Sequence, residues 1–236
     1  MKQKNQNREF CAYCGAPKVS DDHIPPRNLF PTNRTNLITV PACDKHNGNR
    51  SDLDEMFRNY VATHIGNETP NTRKLFEKTV RAVKRNKKIQ RWRPDFSAFE
   101  VEIKSDVFKP MIEWVTRGLY WHKYKGERLP LGIEMKIGQL RIGEWWPAFV
   151  SDMNRFRVGG DQFWCAYNRM DDYPTVSVWV YVFHRRLVAM ATTDVALQDK
   201  LTAEAQSGST KASPKHLLRT AEADTASPIP SANRAD

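Results

Sequence analysis

Cysteine is scarce in this 236-residue chain: there are four, at positions 11, 14, 43 and 165. So few exclude a disulfide framework, and the grouping of three of them reads as metal ligation in a reducing compartment. Long apolar runs are missing too. The longest, Val176 to Phe183, is strand-sized and falls well short of the roughly 20 residues a membrane helix needs. The first nine residues are charged and polar with no apolar stretch behind them, which gives no sign of a signal peptide. These absences predict a soluble, cytoplasmic protein with no membrane partner. Large apolar side chains are also sparse after residue 195, where Ala, Ser, Thr and Pro dominate, so residues 196–236 are expected to be a disordered tail.

Acidic charge is in deficit, with 27 Asp and Glu against 37 Lys and Arg, a net of +10. The excess is concentrated. Arg73, Lys74, Lys78, Arg81, Lys84, Arg85, Lys87, Lys88, Arg91 and Arg93 against Glu77, ten minus one, put +9 within 21 residues. A block of this kind is either a solvated helix face or a surface that attracts a polyanion with release of counterions.

What the chain does have is a dense run of chemistry from Cys11 to Asn47. Cys11-Ala-Tyr-Cys14-Gly15 and Cys43-Asp-Lys-His46 each offer two metal ligands separated by two residues. That gap lets one backbone turn present both to the same ion, and two such pairs complete the tetrahedron of a structural zinc site. His46 admits two readings: the fourth zinc ligand, or a catalytic imidazole that leaves zinc with three protein ligands. A closed structural site favours the first. Between the pairs lie Asp22-His23-Ile24-Pro25-Pro26 and Asn36-Leu37, and Asn47 follows the last pair.

In order and residue type, positions 9 to 60 resemble the HNH endonucleases, ββα-metal nucleases with a zinc knuckle flanking the active site. The pattern Cys-x2-Cys, Asp-His-x-x-Pro, Asn, Cys-x2-Cys-Asn is met by Cys11, Cys14, Asp22, His23, Asn36, Cys43, His46 and Asn47, with His46 in place of the usual fourth cysteine. The resemblance implies a His-Asn-Asn site. His23 would be the general base, Asn36 would orient it, and Asp22 with Asn47 would hold a catalytic Mg2+ or other divalent ion, separate from the structural Zn2+. Neighbours in a regular strand point to opposite faces, so Asp22 and His23 can share a site only if the strand end is bent. Pro25-Pro26 is compatible with such a bend. Beside this motif the basic block reads as a DNA flank, with Arg50, Lys78, Arg81, Lys84, Arg85 and Lys88 as candidate phosphate contacts.

The expected fold is α+β. A mobile lead-in (1–8) precedes a zinc-stapled hairpin-helix nuclease domain (9–65), with strands over Phe10–Gly15, Ser20–Pro26 and Leu37–Val40, a helix beginning at Cys43, and Ser51 as a possible cap of its continuation. A basic helical linker (66–93) follows, capped by Thr69-Pro70. Residues 94–195 hold most of the seven tryptophans and read as a helix, Val107–Lys123, packed on an antiparallel sheet of strands 131–142, 149–158, 163–168, 175–183 and 187–193. The favoured function is a DNA endonuclease. Its rivals are a zinc-stabilised nucleic-acid-binding module without catalysis, and an adaptor in which zinc only builds the fold.

Overall fold

The computed structural model describes residues 7–206 apart from 49, 67, 86–105 and 141–147. Trp92, Lys88, the later part of the basic block and residues 207–236 lie outside the described residues, as do the side chains of Lys84 and Arg85. Of the expected tail, residues up to 206 belong to a helix.

The chain is mixed helix and sheet. Strand β1 (Ser20–Ile24) pairs antiparallel with β2 (Ile38–Ala42), Asp22 opposite Val40 and His23 opposite Thr39. Residues 10–15, expected as a strand, instead make a turn closed by an isolated Phe10–Pro17 bridge, because the knuckle spends their backbone groups locally: Gly15 N donates to Cys11 O and Cys11 N to Ala16 O. The first helix is also broken in two. α1 (Asp44–Asn47) ends at Gly48, and α2 (Ser51–Ile65) restarts with Arg50 at its N-cap. Ser51 is therefore already inside the first turn and caps nothing, while Arg50 ties the restart together by an ion pair with Asp54 (2.9 Å).

α3 (Pro70–Arg85) starts as its sequence demands. Thr69 Oγ1 accepts from Thr72 N (3.2 Å), Thr72 Oγ1 accepts from Thr69 N (2.9 Å), and Pro70 takes the first helical position, where its missing N–H costs nothing. Leu75, Thr72 and Thr79 bury one side against α2, leaving Arg73, Lys74 and Arg81 exposed.

α4 (Phe108–Lys123) carries Met111, Ile112, Val115 and Leu119 on its buried stripe. It lies between the hairpin and a five-stranded antiparallel sheet, in the order β3 (Met135–Leu140), β7 (Leu187–Thr193), β6 (Ser177–Phe183), β5 (Phe163–Arg169) and β4 (Asn154–Val158). Ala148–Asp152 is a 3-10 turn, so the strand expected over 149–158 is confined to its second half. α5 (Val195–Gln206) closes the described chain. No helix among the described residues is long and apolar enough to cross a membrane.

The segments expected as separate domains share one apolar cluster, running from Ile24, Val40 and Phe57 through Met111 and Leu119 to Trp179 and Phe183. Approach is close enough that a Cβ on Gly118 would lie 2.8 Å from Ile24 Cγ1. The sheet also clasps the loop joining β1 to β2. Gln162 Nε2 donates to Asn33 O (2.8 Å), Gly159 N to Thr35 O (3.0 Å), and His184 Nε2 meets Leu29 O (3.0 Å).

Candidate metal centre and the two faces of strand β1

Cys11, Cys14, Cys43 and His46 converge, their ligand atoms all within 4.8 Å of one another. Two of the contacts are Cys14 Sγ to Cys43 Sγ at 3.8 Å and Cys43 Sγ to His46 Nδ1 at 3.2 Å, and Cys11 Sγ lies 3.5 Å from the same nitrogen. A tetrahedron with zinc–sulfur bonds of about 2.3 Å has edges of about 3.8 Å, slightly shorter toward nitrogen. Donor set and spacing both fit one zinc ion. The local backbone explains the convergence: both His46 N and Asn47 N donate to Cys43 O (3.0 Å each), curling α1 so that His46 faces back on Cys43. Zinc ligation is thus the reading of His46 that the cluster favours.

Behind the knuckle lies a buried polar network. Tyr13, between the two cysteines, stacks on Trp114 of α4 (3.9 Å between centroids), and His46 lies 5.2 Å from the same indole. Tyr13 Oη (2.7 Å) and Trp114 Nε1 (3.0 Å) donate to Asp22 Oδ2, and Arg50 Nη2 (2.6 Å) donates to Oδ1. Arg50 also lies over the Trp114 ring at 4.6 Å, and its Nη1 is buried with no hydrogen-bond partner among the described residues. Asp22 is 3% exposed and Arg50 6%. Burial pushes the Asp22 carboxyl up to about 6, although Arg50 and the Tyr13 hydroxyl stabilise its charged form.

These positions bear on three expectations. Asp22 does not open onto solvent as an ion ligand, because three donors occupy both of its oxygens. Arg50 is no phosphate contact, because its charge is spent inside the protein. The strand end is not bent enough to bring Asp22 and His23 together: β1 pairs regularly through Ile24, so the two side chains leave on opposite faces. Asn36 bears on a fourth. It sits exposed at φ +56, a left-handed turn position that asparagine tolerates, and its side chain makes no hydrogen bond among the described residues. Its neighbour Asn33 builds the loop, accepting from Thr35 N (3.0 Å) and Thr35 Oγ1 (2.7 Å). Asn47 donates through Nδ2 to Ser20 Oγ (2.7 Å), which fastens α1 to the start of β1.

The outer face of β1 carries Asp21 and His23. The His23 side chain is half-buried and makes no hydrogen bond among the described residues. Burial lowers its pKa below the usual histidine value; Arg27 and Arg34 push the same way and Asp21 opposes them. The imidazole therefore holds its proton less tightly than an ordinary histidine. Lys78 is lowered too, by burial first and then by Arg58, Arg34 and Arg81, so positive charge continues from the His23 loop across to α3. Arg58 itself is buried and bound to Glu55 and Asn59.

Sequence reasoning missed Tyr13, Trp114 and the two loop arginines. Tyr13 had its position inside the knuckle as a signal, and Arg27 its place just after the Pro-Pro pair; Trp114, 92 residues from Asp22, had none. No protein-family model, curated protein or solved structure matches the chain.

Proposed function

We propose that this chain is a zinc-stapled, HNH-type endonuclease acting on duplex DNA, with a ββα hairpin-helix core and His23 as the general base. The observation that carries the reading is His23 itself: a half-buried imidazole with no hydrogen bond among the described residues, its pKa lowered by burial and by the charges of Arg27 and Arg34, with Arg34 acting on Lys78 as well. A structural histidine in a core is ordinarily satisfied, as His184 is by Leu29.

In this reading Cys11, Cys14, Cys43 and His46 hold a zinc ion that fixes the knuckle and supplies folding free energy rather than chemistry. His23 takes a proton from water, the resulting hydroxide attacks phosphorus in line, and the bond to the departing 3′ oxygen breaks, that oxygen taking a proton from solvent. The arginines neutralise the phosphate, where backbone contacts set register without reading sequence. No step passes through a divalent ion on Asp22 and Asn47, since the buried Asp22 carboxylate is already taken by Arg50, Tyr13 and Trp114.

The test is incubation of the zinc-loaded protein with supercoiled plasmid, comparing wild type with His23→Ala. Nicked or linear DNA from the wild type, reduced by about 10² to 10⁴ in the variant with duplex binding retained, is the expected result. Equal cleavage by both would overturn it. The sequestration of Asp22 favours a second reading, a zinc-stabilised binder that does not cut; salt-dependent binding with intact plasmid under all conditions would select that one.

A further inference from the structure

We infer that the cationic side of the phosphate site is formed by Arg27 and Arg34 rather than by a divalent ion held on Asp22, an inference that rests on the nuclease reading above. Three observations meet here. The first is that Asp22 already has its cation. The Arg50 guanidinium lies 2.6 Å from Oδ1, is held from its other side by Asp54 and stacks on Trp114, while Tyr13 and Trp114 fill Oδ2. A divalent ion at this carboxylate would have to expel Arg50 or sit beside it, and a buried charge deprived of its partner is strongly unfavourable. Asn47, the other expected ligand, is tied through its amide nitrogen to Ser20 and keeps only its oxygen for an ion, which alone is no cation site.

The second observation is the opposite face of the strand. Arg27, four residues after His23, and Arg34, on the same β1–β2 loop, are both exposed, and both charges act on the imidazole. Arg34 is anchored through Nε to Phe30 O (3.1 Å), which leaves its two terminal nitrogens without a hydrogen-bond partner among the described residues. The Arg27 side chain makes no hydrogen bond among them either. A guanidinium presents paired donors that match two oxygens of a phosphate, and it stays charged at any pH of interest.

The third is that the loop bearing both arginines is fastened along its length. Leu29 O is held by His184, Thr32 Oγ1 donates to Asn71 Oδ1 (2.7 Å), Asn33 O is held by Gln162, and Thr35 O by Gly159 N. The five-stranded sheet thereby presets the two cations beside His23, so less ordering is left to be done when a phosphate arrives.

Two measurements on the full chain carrying one zinc test this. Titration with Mn2+ followed by electron paramagnetic resonance should show no stoichiometric bound manganese. Duplex DNA binding across a salt series should show the Arg27→Gln/Arg34→Gln double variant weakened about tenfold or more, its log–log salt slope smaller by about two. Manganese bound one to one and released by Asp22→Asn, or by Asn47→Ala if the former does not fold, would overturn the inference. So would a double variant with wild-type salt slope. Should both measurements come out as expected while plasmid stays intact, the arginine site stands as a phosphate-binding site and the nuclease reading falls.

Discussion

Asp22 and His23 are neighbours in sequence, yet they occupy opposite environments. One face of β1 is dry, with a carboxylate, a guanidinium, a phenol and an indole satisfying one another beneath the zinc knuckle. The other face is half open, and its imidazole feels two cationic charges but has no hydrogen-bond partner among the described residues. The difference teaches that two neighbouring polar residues can divide into a buried strut and an uncommitted side chain. The buried member ties strand, knuckle and α4 together, and the open member stays half-exposed.

That contrast can be broken most severely at the zinc cluster. Cys43→Ser, or a strong chelator, should release the metal and unfold the knuckle and hairpin, since zinc in such sites contributes on the order of 10 kcal/mol. Circular dichroism alongside metal analysis would check it, and an apo protein with an unchanged melting curve would contradict it. Next in size is the strut. Asp22→Ala leaves the buried Arg50 with Asp54 alone and takes the acceptor from Tyr13 and Trp114, and should cost about 3–5 kcal/mol by urea denaturation. A loss below about 1 kcal/mol would show the pair to be no more than a surface ion pair energetically.

The clasp that holds the open face sharpens the comparison through pH. Burial holds His184 down to about 4, with its bond to Leu29 O opposing, against 6.5 for an ordinary histidine. The folded state therefore takes up its proton less readily than the unfolded chain. Its contribution is complete above 6.5 and is lost as pH falls from there toward 4, roughly 3 kcal/mol in all. His122, lowered to about 4 by burial, Lys123 and Arg8, acts in the same direction, so the difference between wild type and His184→Gln across a pH series of urea melts isolates this histidine. An identical slope for the two proteins would count against the clasp. The smallest effect is expected at Gly159→Ala, where an added Cβ would lie 2.5 Å from Phe30 Cδ1 at φ +62. Overpacking and left-handed backbone together should cost about 1–3 kcal/mol, read from the shift in urea midpoint.

Much of the local structure was legible beforehand. The spacing of Cys11, Cys14, Cys43 and His46 announced a four-ligand cluster because the ligand gap is a property of a single backbone turn. Thr69-Pro70 announced the start of α3, and the alternating or branched apolar runs gave β2, β5, β6 and β7 within a residue or two. Legibility failed where the deciding partner was remote or where two local signals competed. Ser51 looked like a cap, but Gly48 had already ended the preceding turn. Asn36 and Asn33 were near equals in sequence, and the loop's docking on Gln162 and Gly159 settled which of them is engaged.

Sequence alone determined the ligand set, the basic excess and the succession of helices and strands, since each depends on composition or on short-range spacing. Only the tertiary structure decided that Asp22 belongs to Arg50, Tyr13 and Trp114, and that His23 faces Arg27 and Arg34. The reason is physical: which face of a strand is buried is fixed by what packs on it, and here α4 arrives from more than 80 residues away, a distance over which spacing carries no information.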